Sequence, residues 1–167
     1  SYTAVDGLWF MKVEEKHGFE EALRLDEAVW KVLPKIQART LKGMMNLPGG
    51  LEGLQQALSV RLALEGFDYE MKPQDNGFAV IIKRCPWHDI MKKSGRGNLS
   101  ERVSDLICRV ENSVWASEFS GAEEKGKACE GEGREIGFER EARICRGEDR
   151  CMLKFLKIDF EGPHQGE

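Results

Sequence analysis

Apolar residues recur along the first third of the chain at intervals of three and four. Val5, Leu8, Trp9 and Val13 form one run, and Phe19, Leu23, Trp30, Leu33, Ile36 and Leu41 form another. That spacing gathers each set on one helical face, so two amphipathic helical runs are expected, parted at His17-Gly18. Pro34 has no backbone donor and crowds the preceding turn, so the second run should kink there or split into two shorter helices. Asp26 is then expected to cap the second of them, or else to serve as a pocket carboxylate. After the turn-rich NLPGG (46–50), Leu51, Leu54, Leu58, Leu62 and Leu64 predict a third amphipathic helix ending at Gly66.

Beyond Gly66 the pattern becomes that of strands. FDYEMK (67–72) and FAVIIKRC (78–85) flank Asp75-Asn76-Gly77, and Asn-Gly between such runs is a strong hairpin signal. Cys85 then sits where a strand leaves the sheet. PWHDIMKKSG (86–95) predicts a short helix with Pro86 in its first turn. NLSERVSDLICRVENSVWASEF (98–119) predicts a longer one opened by Ser100, whose capping-box position holds Val103 rather than Glu or Gln. In this helix Val103, Ile107, Val110 and Val114 make the apolar stripe, while Cys108, Glu111 and Trp115 line an adjacent face. Cys108 and Glu111 can therefore point at one object. Gly121 to Glu135, rich in Gly, Glu and Lys, reads as a surface connection that contains Cys129. IGFEREARIC (136–145) and CMLKFLKIDF (151–160) form a second hairpin around RGEDR, with Cys145 and Cys151 expected on facing strands near its turn.

The elements add up to an α+β fold in one domain, 1–167. N-terminal helices (1–48) pack on an antiparallel sheet of about four strands in two hairpins with a helix between them (49–160), and a frayed tail (161–167) follows. There is no internal repeat and no heptad run. A chain of 167 residues with 41% hydrophobic side chains suits one core. No apolar run is long enough to span a bilayer, and the start SYTAVDGLWF lacks the basic region and cleavage site of a secretory signal. A cytoplasmic protein with no membrane partner is expected. The net charge is −4 and Lys and Arg are scattered among Glu, so no stripe tracks a phosphate backbone and nucleic acid is not an expected partner.

Five cysteines in such a chain point to metal binding, reactivity or burial, since a reducing compartment disfavours disulfides outside hyperthermophiles. Cys85, Cys108, Cys145 and Cys151 lie outside the surface connection, and four soft thiolates would suit zinc or an iron–sulfur cluster. Their convergence needs tertiary folding and does not follow from spacing. Glu111 beside Cys108, and His88 at a C-x2-H spacing from Cys85, are reserve ligands. The competing reading is four buried thiols acting as small hydrophobes. Cys129 is a bystander, His17 a helix-end residue and His164 part of the tail.

For nucleophilic catalysis the one candidate pair is Cys85 with His88, a helical turn apart. No nucleophile elbow, P-loop, dinucleotide fingerprint or H-E-x-x-H is present, which disfavours serine-hydrolase, phosphoryl and hydride chemistry. Trp9, Trp30, Trp87 and Trp115 stand in separate elements and are candidates to line a cavity oriented by Asp6, Asp26 or Glu111. Against this stands an ordinary aromatic core.

The stretch DGLWFMKVEEKHGFEEALRLDEAVWKVLPKIQARTLK (6–42), CPWHDIMKKSG (85–95), the helix with Cys108 and the closing CMLKF (151–155) resemble prokaryotic proteins related to L-2-amino-thiazoline-4-carboxylic acid hydrolases. The likeness spans nearly the whole chain and extends to vinyl-4-reductase domains. It implies helices packed on an antiparallel sheet, a small apolar or aromatic ligand and, in some members, zinc held by cysteines and a glutamate. Cys85-Pro86, Cys108, and Cys151 followed by Phe155 match that pattern, and Cys145 matches it less closely. This chain departs from it in having CRGEDRC where members have a CPPD-like stretch, and in having His88 where members have another polar residue.

The resulting expectation is a cytoplasmic ligand-binding or sensory domain with a cysteine-rich zinc or iron–sulfur site. The alternatives are a small-molecule hydrolase of the thiazoline-carboxylate type, and a scaffold subunit using exposed tryptophan surface, with a homodimer among the assemblies open to it.

Overall fold

A computed structural model of the chain describes residues 2–121 and 135–158. Cys129, His164 and the expected tail lie outside those residues. The chain is α+β, with helices α1 (Tyr2–His17), α2 (Phe19–Trp30), α3 (Leu33–Met45) and α4 (Gly50–Glu65) preceding strands β1 (Asp68–Gln74) and β2 (Gly77–Arg84). Helices α5 (Pro86–Lys93) and α6 (Ser100–Phe119) follow, then β3 (Glu135–Arg140) and β4 (Cys151–Ile158).

The second helical run splits as the proline demands. Pro34 sits in the first turn of α3, where a missing N–H costs nothing because that donor would have no partner in the helix. Asp26 does not cap this helix. It lies within α2 and is buried, and the N-cap position of α3 is Val32, with no side-chain cap bond. Helix α4 ends as expected at Gly66, whose φ of 79° is left-handed.

The sheet is antiparallel with order β1-β2-β4-β3. In the first hairpin Gln74 pairs with Gly77, leaving only Asp75 and Asn76 in the loop. Neither has a positive φ, so this is not the primed turn that Asn-Gly signals. Gly77 serves a different need. A Cβ there would lie 2.0 Å from the Phe155 carbonyl oxygen, so glycine lets β2 approach β4 closely.

The second hairpin is shorter than expected. Strand β3 ends at Arg140, and the chain makes a 3-10 turn at Ile144–Arg146 before β4 begins at Cys151. Cys145 is therefore in that turn and not on a strand facing Cys151. The cause is electrostatic: Arg140 and Arg146 pair with Asp105 of α6 at 2.8 and 3.3 Å, and Arg143 also pairs with it, drawing the connection onto the helix.

Two hydrophobic clusters share α6. One packs Leu54, Leu58, Trp115 and Phe119 on the sheet face formed by Phe78, Val80, Leu153 and Phe155. The other joins Phe10, Leu23 and Trp30 to Ile107. The buried line of α6 is Ile107, Glu111, Trp115 and Phe119, spaced by four, so the helix is turned from the expected valine stripe and Val114 is only half-buried. Ser100 is the first residue of α6 and not its cap, a position held by Leu99. Its hydroxyl is engaged by His88 instead.

Helix α1 is turned likewise. Val5 (68% exposed), Leu8 (61%) and Trp9 (44%) face outward, while Asp6, Phe10 and Val13 face inward. An acid inside the inward stripe explains why apolar spacing alone selects the wrong face. Among the described residues, no helix is long and apolar enough to cross a membrane.

Candidate functional site

A cavity of about 110 Å³ lies where the two clusters meet, bounded by α6, α5, the last turn of α4 and the Cys151 end of β4. A second compartment of about 380 Å³ opens beyond it between α1, α5 and α6. Asp6, Asp26, Trp87, Met91 and Val103 line both and so form the neck between an inner and an outer chamber.

The inner chamber brings together Cys85, Cys108, Cys145 and Cys151, each from a different element. Cys85 occupies the N-cap position of α5, its sulfur close to the backbone N–H groups of Trp87 and His88 but making no capping hydrogen bond with them. Cys108 points from α6 towards Ser104. Cys145 donates to Ser104 Oγ at 3.3 Å, and Cys151 Sγ accepts the Ile144 N–H at 3.3 Å. Arg140 anchors this wall, donating to the Ser104 carbonyl at 2.8 Å and its hydroxyl at 3.1 Å. None of the four forms a disulfide among the described residues.

Burial dominates the chemistry of these thiols. It pushes Cys85 up to about 12, with Cys108 nearby adding to the effect. It pushes Cys108 up to about 11 and raises Cys151 as well. Neutral thiols are inert as nucleophiles and as ligands until something removes the proton. His88 does not supply the base for Cys85: its Nδ1 lies 2.7 Å from Ser100 Oγ, and no hydrogen bond joins its ring to the thiol among the described residues. The nucleophile–base pair read from the sequence is thus not assembled in this geometry. The metal reading meets a geometric test too. Among the described residues, no three His, Cys, Asp or Glu side chains stand close enough to hold an ion. The donors are chemically apt and share a wall, but as placed they do not converge.

Glu111 sits on the same chamber beneath Arg61. Arg61 Nη2 stands 2.6 Å from Glu111 Oε1, within ion-pair distance although off the N–H direction that an aligned hydrogen bond needs, and Arg61 Nε donates to Glu65 at 3.0 Å. The three side chains are 5–8% exposed, which makes this a desolvated triad. Burial raises Glu111 to about 7 against the opposing pull of Arg61.

Of the four tryptophans, Trp30 and Trp87 line the inner chamber and meet edge to face, with ring centres 5.5 Å apart. Trp9 and Trp115 do not line either chamber. Trp9 is on the outward face of α1, and Trp115 is fully buried in the sheet cluster, stacked on Phe119 with Arg61 over its ring. Asp26 is 4% exposed and accepts a hydrogen bond from the Trp30 side chain. Burial raises it to about 7, with Asp6 adding to the effect, and burial alone raises Asp6 to about 6.

Arg61, Ser104 and Arg140 escape the sequence reading although all three shape the inner chamber. A signal for Arg61 exists, since it is the one charge inside the inward Leu54, Leu58, Leu62 line of α4. Ser104 and Arg140 carry no such signal, because their roles arise from the folded connection after β3.

No curated protein and no solved structure matches the chain. A family model described as a family of unknown function (DUF6125) matches residues 1–122, from α1 through α6, and the chain belongs to that family.

Proposed function

We propose that this chain is a small-molecule-binding or sensory domain whose ligand lies in the two-chambered cavity. One observation carries this reading: an outer chamber of about 380 Å³ adjoins an inner one at a neck of shared side chains, and largely apolar and aromatic walls surround a few buried polar groups. That combination is the usual form of a small-ligand site, and ligand pockets run from ~300 Å³ upwards. The outer chamber accommodates a ring-sized body, since a cavity of ~150 Å³ holds benzene. The inner one accommodates a substituent. A reducing cytoplasmic setting is part of this reading, because it keeps the four thiols unpaired.

Val103 lines both chambers, so a larger side chain there plugs the neck. Val103→Trp is expected to abolish the thermal stabilisation given by small aromatic compounds that stabilise the parent protein. Retained stabilisation in a folded Val103→Trp variant would place the ligand elsewhere.

A metal centre is the second reading, favoured by the four thiols on one wall. Zinc or a cluster would be held by Cys85, Cys108, Cys145 and Cys151, with Glu111 or His88 in reserve, and would supply a cross-link between α5, α6 and β4. It requires the side chains to close inward from where they stand. Elemental analysis giving one zinc, or iron with sulfide, per chain supports it, and metal-free protein with titratable thiols rejects it.

A further inference from the structure

We infer that the cavity selects an organic ammonium, an amine carried on an apolar ring-sized body, with its nitrogen held at the neck between Asp6 and Asp26. The inference rests on the small-molecule reading above and adds the class of ligand.

The two carboxyls come from different helices and reach the same place, since both line both chambers. Each interrupts the inward stripe of its helix, Asp6 beside Phe10 and Asp26 between Leu23 and Trp30. Asp26 is almost wholly buried and is partnered by the Trp30 side chain. Among the described residues no Lys, Arg or His pairs with either aspartate.

The other charged groups around the cavity are matched. Arg61 is held by Glu65 and Glu111, Arg140 by Asp105, and Arg96 by Glu14 at 2.5 Å, while His88 is bonded to Ser100. Asp6 and Asp26 thus form an acidic neck that, among the described residues, has no counter-ion, in a cavity whose other charged side chains are already paired. The Asp6 carboxyl adds to the cost of ionising the buried Asp26, and a cation between them lowers that cost. An ammonium also supplies N–H donors to the free carboxylate oxygens, and charged hydrogen bonds of this kind are about twice as strong as neutral ones. Trp30 and Trp87 border the same position, where aromatic faces attract a cation. A carboxylate ligand would meet like charge, and an alcohol would gain no ion pair.

The test is isothermal calorimetry on the full chain at pH 7.5 with 2-phenylethylamine, 2-phenylethanol and phenylacetate, which are alike in size and differ in charge. The amine is expected to bind at least about tenfold more tightly than the alcohol, and phenylacetate weakest, as charge-assisted pairing predicts. Asp26→Asn and Asp6→Asn, each confirmed folded by circular dichroism, are expected to remove that preference by weakening the amine far more than the alcohol. Equal affinity for amine and alcohol, or a preference that survives in both variants, overturns the inference and leaves the small-molecule reading standing. Failure of all three compounds to bind overturns that reading and the inference with it.

Discussion

Replacing Arg61 with leucine is expected to lower the stability of the protein by about 3–5 kcal/mol at pH 7, read from urea unfolding, because removing one partner of a buried ion pair leaves the rest uncompensated. Arg61 stands between Glu65 and Glu111, and all three side chains are 5–8% exposed. Leucine fills much of the volume but leaves the carboxyls of Glu65 and Glu111 without a cation. The loss should shrink at pH 5. Burial already lifts Glu111 to about 7 with Arg61 beside it, so without the guanidinium it keeps its proton to still higher pH while the unfolded chain ionises, and that cost fades as the pH falls towards the ordinary glutamate range. A variant equally destabilised at both pH values would mean that the loss comes from packing over Trp115 and not from charge.

Replacing Asp26 with asparagine is expected to have the opposite sign. Burial raises the folded-state value of this carboxyl from 3.8 to about 7. The folded protein therefore holds a proton that the unfolded chain releases near pH 4. The stability associated with protonated Asp26 is fully present below that point and is lost as pH rises through about 7. Asparagine keeps an acceptor for the Trp30 side chain and carries no charge. The variant should match the parent near pH 4 and exceed it by about 2–3 kcal/mol at pH 8, a figure reduced from the full linkage value for partial solvation and for coupling to Asp6. Thermal unfolding across pH 4 to 8 checks this, and a parent stability that rises with pH over that range, with no gain from Asp26→Asn, would contradict it.

A pocket residue whose replacement stabilises the empty protein is a residue kept for something other than folding. The same logic covers Asp6, whereas Glu111, the third acid set on an inward helix face, is matched by Arg61. These acids also mark the limit of the sequence reading. Apolar periodicity located the helices, the two hairpins and the α+β class, because those depend on local spacing. It misjudged the faces of α1 and α6, since Asp6 and Glu111 occupy inward positions where the pattern expects hydrophobes, while Val5, Leu8 and Trp9 face outward.

The four cysteines were legible as a group because strand ends and a mid-helix position carried them to one region, and they do line one chamber. How they stand there was not legible. Cys145 moved off the expected strand because three arginines are drawn to Asp105, an effect of tertiary electrostatics that no local pattern encodes. The tryptophans divided for a similar reason. Trp30 and Trp87 face the cavity and Trp115 the sheet, which depends on the rotation of α2, α5 and α6 about their axes. Ser100 reads as a cap by type, yet its hydroxyl meets His88 across the chamber.

The tryptophans also provide the most direct test of ligand binding in the cavity. With the indole nitrogens labelled with ¹⁵N, each of the four side chains gives its own resonance, assigned by single Trp→Phe replacements, and 2-phenylethylamine is titrated in. The cavity account predicts that the Trp30 and Trp87 signals shift together with one saturation curve while those of Trp9 and Trp115 stay in place. No movement of Trp30 and Trp87 at saturating probe, or movement of Trp9 alone, would contradict it.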